Sequence, residues 1–410
     1  MTGSVATDLD EPIAGRAVVL VDARGARHEI ATDGDGGFTV SGVVPPYDLA
    51  VAPASSGPMT VHLGIQRRDP YVELFERDGP TPTAASQRIR VGVRWPACDL
   101  RSCSVVAMTS SPSGGGSSTT ACAPGEQVTA IDVDHRWRGH TVRPGEQIDV
   151  HVLVSDVDRS FFAHAHVDGV AAAPGDTVDV GVLQPASVAA SEAIPIVAEG
   201  GAAALPDWRW STTVFLDVSG EGRAPDPASL LMVAADAGAT VRAPLIAGAK
   251  LFASITAVHP RSDAQGGFHR SSEAWSGART PSVAPITLDV AAGPEMVRPG
   301  STGSLSRRGL GFEWTSSSGL ALSTLTVADT ARGRVRFRVL TTGSEVPLAR
   351  LSELGLPKLD VGDHVLDLST SAGVGADDAV SPDAAVRRRR FDRTRPGAAS
   401  HLRVPFQVTS

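Results

Sequence analysis

Apolar residues in this chain recur at a period of two and never sustain the spacing of three and four that an amphipathic helix requires. The alternating runs are short and are separated by Gly, Pro and Asp. Arg16 to Val21 is apolar and β-branched, Ala23 to Ala26 is a turn, and Arg27 to Thr32 alternates. Asp33 to Gly37 turns again, and Phe38 to Val40 and Tyr47 to Val51 follow as strands, with Gly42 and the Pro45, Pro46 pair between them. A strand pattern already begins at Gly3 to Val5. The chain carries 42 Gly and 29 Pro in 410 residues, above their usual joint share of roughly 12%, which suits many short strands and disfavours long helices. The predicted fold class is therefore all-β, with no helix longer than about three turns.

A length of 410 residues suggests about three domains, each able to bury its own core, and hydrophobic and charged shares of 42% and 20% exclude wholesale disorder. A Pro- and Thr-rich stretch near Gly79 to Thr83 ends the first block. The expected blocks are 1–78, 79–183, 184–290 and 291–410. In the second, Pro124-Gly-Glu126, Pro144-Gly-Glu146 and Pro174-Gly-Asp176 each precede an alternating strand, because Pro presets the second turn position and Gly accepts a positive φ at the third. The Ser110 to Thr120 stretch, with Gly114 to Gly116, is expected to be a flexible hairpin loop.

The segments Glu11-Pro-Ile-Ala-Gly15-Arg-Ala-Val18, Thr32-Asp-Gly-Asp-Gly-Gly-Phe38 and Pro46-Tyr-Asp-Leu49 resemble the carboxypeptidase regulatory-like (transthyretin-like) β-sandwich family over about the first fifty residues. The resemblance implies a seven-stranded sandwich, common on extracytoplasmic bacterial proteins, and no catalysis. In the last block Phe312-Glu-Trp314, Arg334 to Leu340 and Val346 to Leu356 resemble a fibronectin type III-like sandwich with one short helical turn. Together these give a tandem array of three to four Ig-like or transthyretin-like sandwiches, similar in layout to large bacterial surface proteins that are often lipid-anchored.

A formal net charge of −8 provides no field to draw the chain onto phosphate backbones, so nucleic acid is not an expected partner. No apolar run reaches the about 20 residues that cross a bilayer, and no export signal precedes the first strand, as expected if a leader has been trimmed. The expected location is extracytoplasmic, with a protein or polysaccharide partner. Cys98, Cys103 and Cys122 fall in one region and allow one disulfide in an oxidising compartment. A hairpin across the Ser- and Gly-rich loop pairs Cys103 with Cys122, whereas a turn at Asp99 to Ser102 pairs Cys98 with Cys103.

Hydrolase, phosphate-binding and dinucleotide signatures are absent. The strongest cluster lies on two successive strands, Gln147 to Ser155 and Phe161 to Asp168, joined by Asp156-Val-Asp-Arg159. Ile148, Val150, Val152 and Val154 take one face of the first strand and leave Asp149 and His151 on the other, while His164 and His166 share a face of the second. A hairpin closed symmetrically about the turn sets His151 opposite His164 and Asp149 opposite His166, with Cβ atoms about 5 Å apart. Such a set suits Zn or Cu, although a solvated polar sheet face accounts for it with no metal at all.

The remaining features have plainer readings. Trp208 and Trp210 share parity with Val214, Leu216 and Val218, so they are expected in a core and not on a sugar-stacking platform. Asp33 and Asp35 are placed in a hairpin turn, since a Ca²⁺ loop needs six to eight oxygens. Arg387 to Arg390, with Arg393 and Arg395, is expected on a solvated loop, with binding of phosphate, anionic polysaccharide or a partner's acidic patch as the other reading. The leading function is a non-enzymatic structural or binding module of a bacterial surface protein, for adhesion, spacing or assembly. The alternative is a metal-binding protein or metal-dependent enzyme that uses His151, His164 and His166.

Overall fold

The structure, a computed structural model, describes residues 1–7, 11–53, 57–74, 86–94, 103–111, 114–121, 128–137, 145–190, 193–200, 205, 207–218, 232–235, 240–262, 267–290, 292–300, 303–306, 309, 311–315, 320–331, 334–356, 358–387 and 396–410. Strand accounts for 64% and helix for 4%, so the all-β class holds. The longest helix among the described residues is the six-residue turn Leu348–Glu353, inside the segment where one helical turn was expected.

Local chemistry explains the first block strand by strand. Ala17–Val21, Arg27–Ala31, Gly37–Thr39 and Tyr47–Val51 are strands, close to their predicted limits. The turn after Val21 is closed by Asp22, whose Oδ1 accepts from the backbone N–H of Arg24 and of Ala26, each at 2.9 Å. Asp33 does the same for the next turn: its Oδ1 accepts from the N–H of Asp35 at 3.0 Å and of Gly37 at 2.7 Å. That oxygen is therefore committed to the backbone, which is the turn role expected of it.

The strand Ala17–Val21 is buried on both faces. Val18 and Leu20 enter a core with Val5, Phe38, Tyr47, Leu49 and Val72. Val19 and Val21 instead join a second core with Val61 and Leu63 of the same block and with Phe312, Trp314, Phe337 and Leu351 from the last quarter of the chain. A strand that separates two cores loses the polar alternation of a half-solvated one, and its Ala-Val-Val-Leu-Val sequence shows this.

The first and last blocks are also joined by backbone hydrogen bonds. Met59–Ile65 pairs in parallel with Arg334–Thr341, with Phe337 opposite Met59 and Leu340 opposite His62. On the far side of the last block, Pro396–Thr409 pairs antiparallel with His269–Ser276 of the third block. One 13-stranded sheet thus runs from the third block through the fourth into the first. The second block forms its own eight-stranded sheet around Ile89, Val105, Val133, Trp137, Val150 and Val152.

The Ser110 to Thr120 stretch is a correction. Cys103–Ser111 and Gly114–Ala121 form an antiparallel ladder, so the described part of the stretch is strand, and residues 112–113 lie outside the described set. The glycines there serve close approach. A Cβ on Gly116 would stand 2.2 Å from the carbonyl oxygen of Asp134 on the adjacent strand, so only Gly lets the ladder close against it.

Candidate metal centre

The histidine hairpin consists of Gln147–Asp156 and Phe162–Ala171. Its pairing differs from the symmetric closure expected: His151 lies opposite His166, and His164 opposite Leu153. The turn is the cause. Asp156 Oδ1 accepts from the Phe161 N–H at 3.0 Å and its Oδ2 from the Ser160 hydroxyl at 2.5 Å, while Arg159 takes a left-handed φ of 56°. These bonds lengthen the loop to Phe161 and move the register by two residues, which changes partners but not faces.

Asp149 is also displaced from its expected place opposite His166. The ladder steps from Ile148 opposite Val170 to Val150 opposite Val167, so Asp168 and Gly169 together oppose Asp149 in a bulge. Gly169 takes a φ of 75° there, and its N–H donates to Asp149 Oδ1 at 3.1 Å. Asp149 thus closes the bulge and remains close enough to His151 to act on its charge.

The three imidazoles do converge. Their ring centroids are 5.6, 5.9 and 5.7 Å apart, with planes within 19° of parallel, and His151 Nδ1 stands 3.4 Å from His164 Nε2. The face they share is not simply solvated. Leu153 and Phe162 on that face, with Met108 of the next strand, enter the core of the third block beside Ile194, Val214 and Leu251. His151 is buried at 6% exposure, while the His166 side chain is 56% exposed. The cluster therefore marks the place where the seam between the second and third blocks opens to water.

Burial sets the electrostatics. It lowers the pKa of His151, helped by the His166 charge and opposed by Asp149, Asp168 and Asp217. Burial, with His151 and His166 beside it, brings His164 down to about 4. Both rings are thus neutral at neutral pH and offer lone pairs. Among the described residues, no group of three or more His, Cys, Asp or Glu is placed so that it could hold a metal ion as it stands.

The other sequence candidates resolve differently. Trp208 is 8% exposed in the third core and Trp210 packs against it, as parity indicated. Arg387 is 3% exposed and not on a solvated loop: its Nη1 donates to the carbonyls of Ser381 at 2.7 Å and Pro382 at 2.9 Å. Arg388 to Arg390, Arg393 and Arg395 lie outside the described residues. Cys103 is disulfide-bonded, and both candidate partners, Cys98 and Cys122, lie outside the described residues.

Two further groupings gave no sequence signal, because their members sit on strands far apart in the chain. His135, fully buried, bonds through Nδ1 with Thr109 Oγ1 at 3.1 Å and through Nε2 with Ser111 Oγ at 3.2 Å. With both nitrogens held by hydroxyls, it reads as a satisfied core histidine. A depression of about 430 Å³ is lined by His259, Arg261, Phe268, Arg270, Glu295 and Met296. Its Arg270 is pinned over Trp208, 5.2 Å from the ring centroid, by a 2.6 Å bond to Glu295.

No protein-family profile and no curated protein matches the chain. Among solved structures it is similar to the TIE protein of Bacillus anthracis at 7% identity and a TM-score of 0.16, over 70% of this chain and 49% of that one. It therefore spans about half the length of that protein. BcpA, the major pilin subunit of Bacillus cereus, matches at 9% identity and a TM-score of 0.16, over 71% of this chain and 98% of that one. The pilus adhesin SpaC of Lactobacillus rhamnosus GG in its open conformation matches at 9% and 0.13, over 89% and 50%.

Proposed function

We propose that the chain is a non-enzymatic structural or binding module of a bacterial cell-surface or extracytoplasmic protein, serving adhesion, spacing or assembly through protein or polysaccharide contacts. The observation that carries this reading is the 13-stranded sheet that runs from the third block through the fourth into the first. Hydrogen bonds across block boundaries, backed by a core shared between residues 19–63 and 305–408, make the first, third and fourth blocks one stiff body instead of beads on flexible linkers. Stiffness of that kind suits a spacer or a display platform. The disulfide at Cys103 supports an oxidising compartment. No described helix is long and apolar enough to cross a membrane.

Protease shaving of intact cells, followed by immunodetection of the chain, tests the reading. Release or cleavage of the chain while a cytosolic marker survives is the expected result. Protection in intact cells combined with recovery in the cytosolic fraction would overturn it.

A further inference from the structure

We propose that His151, His164 and His166 bind one Zn²⁺ ion at the open edge of the seam between the second and third blocks. The spacing of the first two is the primary observation. Two nitrogens each about 2.0 to 2.1 Å from a tetrahedral Zn²⁺ stand about 3.3 to 3.4 Å apart, and His151 Nδ1 and His164 Nε2 are separated by 3.4 Å. Backbone and packing hold both rings there: His151 is buried against the seam, opposite Met108 on one side and His166 on the other.

His166 supplies the third donor. Its ring lies 5.9 and 5.7 Å from the other two, and on this reading its exposed side chain turns toward them to complete the donor set. The fourth position faces solvent and is filled by water. Three neutral imidazoles make a donor set of borderline softness, which suits Zn²⁺ and not Ca²⁺ or Mg²⁺.

The geometry also assigns the ion a place. His151, Leu153 and Phe162 share the face that the third block covers, so an ion held by all three rings ties both strands of the hairpin at the lip of that contact. Binding to the folded chain alone then raises its stability by mass action.

Calorimetric titration of Zn²⁺ into the full chain at neutral pH, after removal of metal with a chelator, tests this. One saturable site per chain is expected. His166→Ala, whose side chain is exposed and whose fold is checked by circular dichroism, should weaken binding by more than the about 10- to 100-fold that loss of an outer-shell partner costs. His164→Ala should do the same, and Zn²⁺ should raise the thermal midpoint of the wild type but not of the double variant. No saturable uptake by the wild type, or equal uptake by wild type and the double variant, would overturn the proposal.

Discussion

Arg387 heads a run of four arginines, yet its guanidinium is withdrawn from water. It lies 3.8 Å over the Tyr71 ring and 3.7 Å from Glu73, and it donates to the Ser381 and Pro382 carbonyls. A cation so enclosed fastens the last block to the strand Tyr71–Leu74 of the first. Arg387→Ala is therefore expected to destabilise the fold by on the order of 3 kcal/mol, because it removes the buried cation from the Tyr71 ring and from Glu73 together with the donor to the Ser381 and Pro382 carbonyls. Denaturant unfolding reads this out, and a midpoint unchanged from wild type would refute the fastening role. Asp367 offers a contrasting case. Burial pushes its carboxyl up, but hydrogen bonds from His401 and the two bonds from Arg403 outweigh this and hold it at about 2. An unfolded Asp titrates near 3.9, so between about pH 4 and pH 2 the unfolded state binds more protons than the folded one. Stability is present in full above that window and falls as the pH drops through it. Asp367→Asn should flatten that acid limb and cost about 1 kcal/mol at neutral pH, since the pair is partly exposed. Acid limbs that superimpose for wild type and variant would rule out the assignment.

At the scale of elements, the ladder between Cys103–Ser111 and Gly114–Ala121 bears on the disulfide. Ser104 lies opposite Ala121 and Met108 opposite Ser117, so paired residue numbers add to 225 throughout. Cys103 is disulfide-bonded, and 122 is the number that continues the series. Peptide mapping under non-reducing conditions is therefore expected to return Cys103–Cys122 with Cys98 free, and a Cys98–Cys103 peptide would contradict it. The pairing of the two outer runs was legible in the sequence, but the Gly- and Ser-rich stretch between them, expected as a loop, extends the ladder as strand from Gly114. The faces of His151, His164 and His166 were legible because period two fixes the side of a strand whatever its register. The register itself was not. It depends on Asp156 capturing the Phe161 N–H and the Ser160 hydroxyl, and on a bulge at Asp168 and Gly169, where side-chain bonds choose among closures that hydrophobic pattern leaves equal. The burial of Arg387 was hidden likewise, since its partners Tyr71 and Glu73 precede it by more than 300 residues.

Across the whole molecule, that separation in sequence is the general obstacle. Nothing in residues 59–65 announces that they pair with residues 334–341, and parallel pairing has no turn signal to reveal it. The consequence is cooperative. Val61 lies fully buried in a core with Phe312, Leu325, Val339 and Leu366, although its strand belongs to the first block. If the first and last blocks were independent sandwiches, Val61→Ala would loosen residues 1–78 and leave the last block intact. With one sheet and one core between them, the cavity left by Val61 is shared, at a cost of about 1 to 3 kcal/mol. Native-state hydrogen exchange distinguishes the two cases. Protection should fall together, by a similar free energy, at Tyr47–Val51 in the first block and at Arg334–Thr341 and Gly362–Ala372 in the last. Protection in the second block, which has its own core around Val133, Trp137 and Val152, should change much less. Exchange that accelerates in Tyr47–Val51 alone, with Arg334–Thr341 unaffected, would mean that the parallel pairing is too weak to couple the blocks, and the stiff-body basis of the proposed function would fail with it.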